Sequence, residues 1–110
     1  MGSIAGRKTF NDHSVYCGTK FAVHAITENI REEVARSNVR LITIAPGMVY
    51  TELLDHGCAD EARQGWMDYA SEIGGALQPE AIAETVLFSY QMPQNVCVRE
   101  VVICPTGQEP

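Results

Sequence analysis

The sequence predicts an α/β fold built on a buried parallel sheet, and three observations carry that prediction. Ser14 to about Ser37 repeats apolar residues at helical spacing, Val39–Ala45 is a short β-branched run without a polar face, and a second helix and strand follow between Pro79 and Ile103. Strands that are apolar throughout, rather than alternating, belong to sheets covered on both faces. Helices that alternate with such strands build layered α/β folds on parallel sheets.

Residues 1–13 read as loop, because Gly6, Lys8, Asn11 and Asp12 suit a turning segment. Ser14 is expected to cap the helix that follows. Val23, Ile26, Ile30 and Val34 form its apolar stripe, expected to pack on the chain's own sheet, while Glu28, Arg31, Glu32, Glu33 and Arg36 lie mainly opposite. Asn38 suits a left-handed stop. Val39–Ala45 is the buried strand, broken by Pro46-Gly47. Glu52 to about Ile73 is the least regular stretch, with Leu53, Leu54, Gly57, Trp66, Met67 and Tyr69 set among polar residues. Two short helices with a flexible joint fit it, and Gly74-Gly75 ends it. Pro79 opens the last helix at its first position, with Ile82, Val86 and Tyr90 as inward candidates, and Pro93 stops it after about Gln91. Asn95–Ile103 completes the chain as a final strand. No linker divides it, so residues 1–110 are expected to form a single partial domain.

The chemistry concentrates in Ser14-Val15-Tyr16-Cys17-Gly18-Thr19-Lys20. Residues at i and i+4 share a helix face, about 5–6 Å apart at Cβ. Lys20 can therefore hold its ammonium beside whatever the Tyr16 hydroxyl bonds. A cation near a phenol favours the phenolate and readies it to exchange a proton with an alcohol or ketone. A tyrosine and lysine at this spacing are common on helices, so the pair gains meaning from its company. Ser3 stands in Gly2-Ser3-Ile4-Ala5-Gly6, thirteen positions before Tyr16, and Pro46-Gly47-Met48-Val49-Tyr50-Thr51 follows the buried strand.

Together these segments resemble the short-chain dehydrogenase/reductase family, with its Ser-x12-Tyr-x3-Lys set followed by a Pro-Gly-x3-Thr loop. The resemblance covers nearly the whole chain and implies the C-terminal half of a Rossmann-type doubly wound parallel sheet, ordered helix, strand, lid, helix, strand. It implies an NAD(P)-dependent oxidoreductase that interconverts a secondary alcohol and a ketone. Ser3, Tyr16 and Lys20 would be catalytic, and Lys20 would also bond the nicotinamide ribose beside Tyr16. Pro46, Gly47, Val49 and Thr51 would hold nicotinamide, and residues 52–75 would be the substrate-binding lid. The segment Pro93–Gln108 is similar to the end of bacterial NADP-dependent 3-hydroxy acid (serine) dehydrogenases, which implies NADP, with NAD as the alternative, and a 3-hydroxy acid as substrate. The family also implies a dimer or tetramer, with Phe21, Ala22 and Ala25 facing a sister subunit's helix.

The family's Thr-Gly-x3-Gly-x-Gly loop and Asn-Ala-Gly segment are not among these residues, nor is the strand that precedes its serine. The chain alone is therefore expected to be inactive, and the outer edge of the Val39–Ala45 strand to be open to association. The alternative expectation is a non-catalytic fragment that acts as an interaction subunit or has no function alone. Composition agrees with a small-molecule enzyme rather than a nucleic-acid binder: 8 basic residues face 14 acidic ones, a formal net charge of −6 with no basic run. Cys17, Cys58, Cys97 and Cys104 form no CxxC pair and read as free thiols of a cytoplasmic protein. No metal site is expected from His13, His24 and His56, and no run is apolar enough for a membrane span.

Overall fold

The computed structural model describes residues 1–52, 54, 56 and 59–109. Two strands pair in parallel, β1 at Thr43–Pro46 and β2 at Glu100–Ile103, with Thr43 opposite Glu100 and Pro46 opposite Ile103. The parallel pairing agrees with the β-branched, apolar pattern, and Thr43, Ile44 and Ala45 are buried. Both strands are shorter than expected. Val39–Ile42 and Asn95–Val98 run to the ladder without joining it, because a strand extends only as far as its partner offers hydrogen bonds in register.

The outer edge of β1 is not bare. The Thr43 and Gly47 amides donate to Arg99 O and Ile103 O on the β2 side, and the intervening Ile44 carbonyl accepts the Gly2 amide at 2.7 Å from the other side. Gly2 to Gly6 are accordingly buried, a small core patch that includes Ile4 and Ala5 where the sequence suggested only loop.

Helix α1 spans Ser14–Glu33 and continues as a 3-10 turn at Ala35–Ser37, ended by Asn38 in the left-handed region at φ 58°. Ser14 is its first residue rather than its cap; His13 takes the cap position without a capping side chain. The expected packing stripe is only partly used. Val23 and Val34 are half-buried while Ile26 and Ile30 are exposed, and the covered side of the helix also carries Cys17, Lys20, His24, Glu28 and Arg31. Glu28 and Arg31 pair on this side, and Arg99, the residue before β2, reaches Glu28.

Helix α2, Asp60–Glu72, is the one helix assigned between residues 59 and 75, and its end turns through Gly74 and Gly75 at φ 84° and 105°, values that glycine alone adopts cheaply. Leu53, Gly57 and Cys58 lie outside the described residues. Helix α3, Pro79–Gln91, has the expected bounds, with proline in its first turn. Its inward side differs: Ser89 is buried and Ile82 half-buried, whereas Val86 and Tyr90 are exposed. The Thr85 and Ser89 hydroxyls satisfy themselves on the Ala81 and Thr85 carbonyls at 2.8 and 2.9 Å, so hydroxyls can occupy the packed face. The Arg40 guanidinium then closes the helix end by donating to the carbonyls of Tyr90, Met92 and Val96 at 2.8–3.2 Å.

Candidate active site

Ser3 sits where the Gly2 segment leaves the edge of β1. Its backbone is extended, its Oγ accepts the Ala5 amide at 3.1 Å, and the 3-10 turn Ile4–Gly6 follows. An oxygen that accepts from backbone keeps its own proton to donate. Ser3 is 8% exposed, so its hydroxyl is largely shielded from solvent.

Tyr16 and Lys20 stand one turn apart on α1, with the Lys20 ammonium 5.6 Å from the Tyr16 ring centroid. The His13 ring meets the tyrosine edge-on at 6.4 Å. Tyr16 remains 45% exposed, open to a ligand. The serine turn and this helix are pressed together: a Cβ on Gly6 would lie 2.8 Å from the Lys20 carbonyl oxygen and 2.6 Å from the His24 ring. The structure thus brings the turn after Ser3 against the helix at Lys20 and His24.

The Pro46–Thr51 segment leaves the carboxyl end of β1, where parallel α/β sheets bind ligands. Gly47 extends the ladder through the Ile103 carbonyl at 2.8 Å. A Cβ there would approach Gln108 Oε1 to 2.2 Å and Cys104 Sγ to 2.8 Å, so a side chain at this position has to push both aside. Gln108 uses that oxygen to accept the Met48 amide at 2.9 Å. Leu77 then clasps the loop, its amide donating to Met48 O and its carbonyl accepting from Tyr50, both at 2.9 Å. In this parallel bridge Val49's own N–H and C=O point away from Leu77, toward the opposite edge. Thr51 is exposed beyond it, and Trp66 of α2 packs edge-on against Tyr50 at 5.4 Å. Met67 and Tyr69 are exposed.

Gln108, Leu77 and His24 are missing from the site read in the sequence. The first two lie far along the chain from the loop they hold. The third was visible only as the next i+4 step after Tyr16 and Lys20.

A cavity of about 460 Å³ opens at the other end of the ladder, lined by Gly6, Arg7, His24, Glu28, Thr43, Arg99 and Glu100. It includes neither Tyr16 nor the Pro46–Thr51 loop, and its size does not outweigh their chemistry. Its walls are ionic. Arg31 hydrogen-bonds both Glu28 oxygens at 2.7 and 2.8 Å and, with Arg99, holds that carboxyl down to about 2 against partial desolvation. Near the loop, burial pushes the Cys104 thiol up, partly offset by the Gly47 backbone. Cys17, Cys97 and Cys104 are free thiols, and no cluster of metal-binding side chains occurs among the described residues. No described helix is long and apolar enough to cross a membrane.

A sequence model of the short chain dehydrogenase family matches residues 1–62. An uncharacterized oxidoreductase of Staphylococcus saprophyticus is 38% identical over 110 residues, which cover 98% of this chain and 44% of that protein. The NADP-dependent 3-hydroxy acid dehydrogenase of Schizosaccharomyces pombe is 34% identical over 111 residues, 98% of this chain and 41% of that protein. The closed form of a serine dehydrogenase complexed with NADP+ superposes with a TM-score of 0.83 at 26% identity, covering 99% of this chain and 44% of the other. The serine dehydrogenase of Escherichia coli gives 0.75 at 26% identity, covering 99% and 39%. The chain therefore spans less than half the length of these relatives.

Proposed function

The chain belongs to the short-chain dehydrogenase family, and from that premise we propose that it is the catalytic half of an NADP-dependent oxidoreductase acting on a secondary alcohol, of the 3-hydroxy acid class, and the corresponding ketone. The observation that carries this reading is the Tyr16–Lys20 pair on one face of α1, with the turn after Ser3 packed against the Lys20 backbone.

Tyr16 gives its hydroxyl proton to the carbonyl oxygen during reduction and takes one from the alcohol during oxidation. Lys20, one turn on along the same helix, would bond the cofactor ribose beside Tyr16. Ser3 donates to the substrate oxygen where negative charge gathers; one such donor in a water-poor site is worth about 3–4 kcal/mol. Bound NADPH supplies the hydride. The residues beyond β1 suit a nicotinamide: the outward N–H and C=O of Val49 match a carboxamide, exposed Thr51 adds a hydroxyl, and the tight Pro46-Gly47 exit fixes where they lie. The 52–75 segment acts as the substrate lid, with Trp66 anchored on Tyr50.

Adenosine and pyrophosphate find no glycine loop in this sequence, and turnover requires a nucleotide-binding half from outside it. Lys20→Met is expected to weaken NADPH binding by about tenfold or more in a protein containing both halves, measured by titrating NADPH fluorescence. Unchanged affinity would remove the ribose role.

A second reading is favoured by one feature. Phe21 and Ile26 of α1, and Leu87, Phe88 and Tyr90 of α3, are exposed, surfaces suited to subunit contacts. In that reading the chain binds intact relatives without turning over substrate. Coprecipitation with such a relative, unaffected by Tyr16→Phe, supports it, and failure to associate removes it.

A further inference from the structure

We infer that His24 is a positioning residue for Ser3, so that one face of α1 sets all three catalytic groups. The inference rests on the reading of Ser3 as a donor to the substrate oxygen.

The imidazole fills the space on both flanks of the serine. A Cβ on Gly2 would lie 2.2 Å from His24 Nε2, and one on Gly6 would lie 2.6 Å from the same atom. Neither glycine has a positive φ, so what a side chain would meet at each is the packing, the ring first, with the Thr43 methyl beside Gly2 and the Lys20 carbonyl beside Gly6. Ser3 is moulded onto that ring through its own amide, which donates to Nε2 at 3.3 Å.

Nε2 is the acceptor in this bond, so a neutral ring carries its proton on Nδ1. Nδ1 faces Glu100 Oε1 at 3.2 Å, an ion-pair distance rather than an aligned hydrogen bond, and that buried oxygen has no hydrogen-bond partner among the described residues. Glu100's second oxygen is taken by Arg7. Arg7, on the segment after the serine turn, and Glu100, at the start of β2, therefore hold the ring from behind, with Glu28 and Arg99 the other charged groups lining the same cavity.

Tyr16, Lys20 and His24 occupy successive i+4 steps. A rigid helix thus carries the proton donor and its cation directly, and the serine through His24. Charge stabilisation needs donors placed before the reaction, and a small displacement of one is costly.

The first test needs no activity. In the 15N-labelled 110-residue chain, His24 is expected as the Nδ1–H tautomer, with its unprotonated Nε2 coupled to the Ser3 amide proton. An Nε2–H tautomer would overturn the inference. In His24→Ala, the Ser3 amide is expected to exchange with solvent at least about tenfold faster while the α1 amides keep their protection. His24→Gln, whose side-chain oxygen can accept the same amide, is expected to restore most of the protection. Equal Ser3 exchange in the native chain and His24→Ala would also overturn it. In a protein containing both halves, His24→Ala is expected to lower kcat by about tenfold with little change in KM, with partial rescue by His24→Gln; an unchanged kcat would refute the positioning role. If Ser3→Ala leaves kcat unchanged, it is the Ser3 reading that falls, a result the tautomer measurement distinguishes.

Discussion

Gln108 illustrates how a residue with no chemistry of its own can decide the shape of a site. Its Oε1 occupies the space a Gly47 side chain would take and accepts the Met48 amide. Gln108→Ala leaves that partly buried amide unpartnered and is expected to destabilise the chain by about 1–3 kcal/mol, read from urea unfolding. Gly47→Ala pushes the glutamine aside and loses the same bond. The double variant should therefore cost clearly less than the sum of the single ones, and strict additivity would show that the two positions do not share this contact. At this scale the sequence was legible where chemistry and spacing are local. Tyr16 and Lys20 stand on one helix face, and the strand expected before Gly47 is there, although it runs through Pro46 rather than stopping ahead of it. Gln108 was not legible, because sixty residues separate it from Met48 and only the folded chain closes that distance.

Among elements, α1 shows what periodicity can and cannot predict. A stripe at helical spacing establishes a helix, and its extent and left-handed stop at Asn38 agree with the sequence. It does not say which side meets the sheet. The half-buried side carries Glu28 and Arg31 as well as Val23 and Val34, and Glu28 pairs with Arg99, a partner seventy-one residues away that no periodicity reveals. The same limit applies to α3, whose bounds were readable from two prolines but whose packed face uses Thr85 and Ser89 rather than Val86 and Tyr90. The Glu28 pairing has a pH signature. Its carboxyl is lowered from 4.5 to about 2 in the folded chain, first by Arg31. The resulting stability is present above the unfolded value and is lost as pH falls from about 4.5 toward 2. With the side chain 45% exposed, solvent screening keeps the contribution small. The urea midpoint should fall between pH 5 and 3 with a shallower slope in Glu28→Gln; identical slopes would mean that the pair does not contribute.

At the scale of the whole molecule, the chain has a small core and a large apolar exterior. Its radius of gyration is 15.5 Å, against about 13 Å for a compact domain of this length, and its extents are 49 × 27 × 25 Å. Among the described residues the buried apolar set is mostly small side chains, while Leu87, Phe88 and Tyr90 stand 52–73% exposed on one helix. Such a surface favours association despite the net charge of −6. The solution mass should rise with concentration, and Phe88→Asp should shift it toward the monomer; a monomer at all concentrations would contradict that use of the surface. The two-stranded parallel arrangement was legible from strand composition, whereas the cover that Gly2 gives the outer edge of β1 was not, since a loop of glycine, serine and alanine carries no strand signal.

The proposal as a whole depends on Tyr16 as the proton carrier. The most direct measurement is NADPH-dependent reduction of a 3-oxo acid by a protein in which this chain is joined to the nucleotide-binding half of a short-chain dehydrogenase relative, with and without Tyr16→Phe. The expected result is turnover by the native sequence and a loss of about 10²–10⁴-fold in the variant, with NADPH affinity retained. Comparable turnover by the two proteins would contradict the assignment of Tyr16 and, with it, the active site described for this chain.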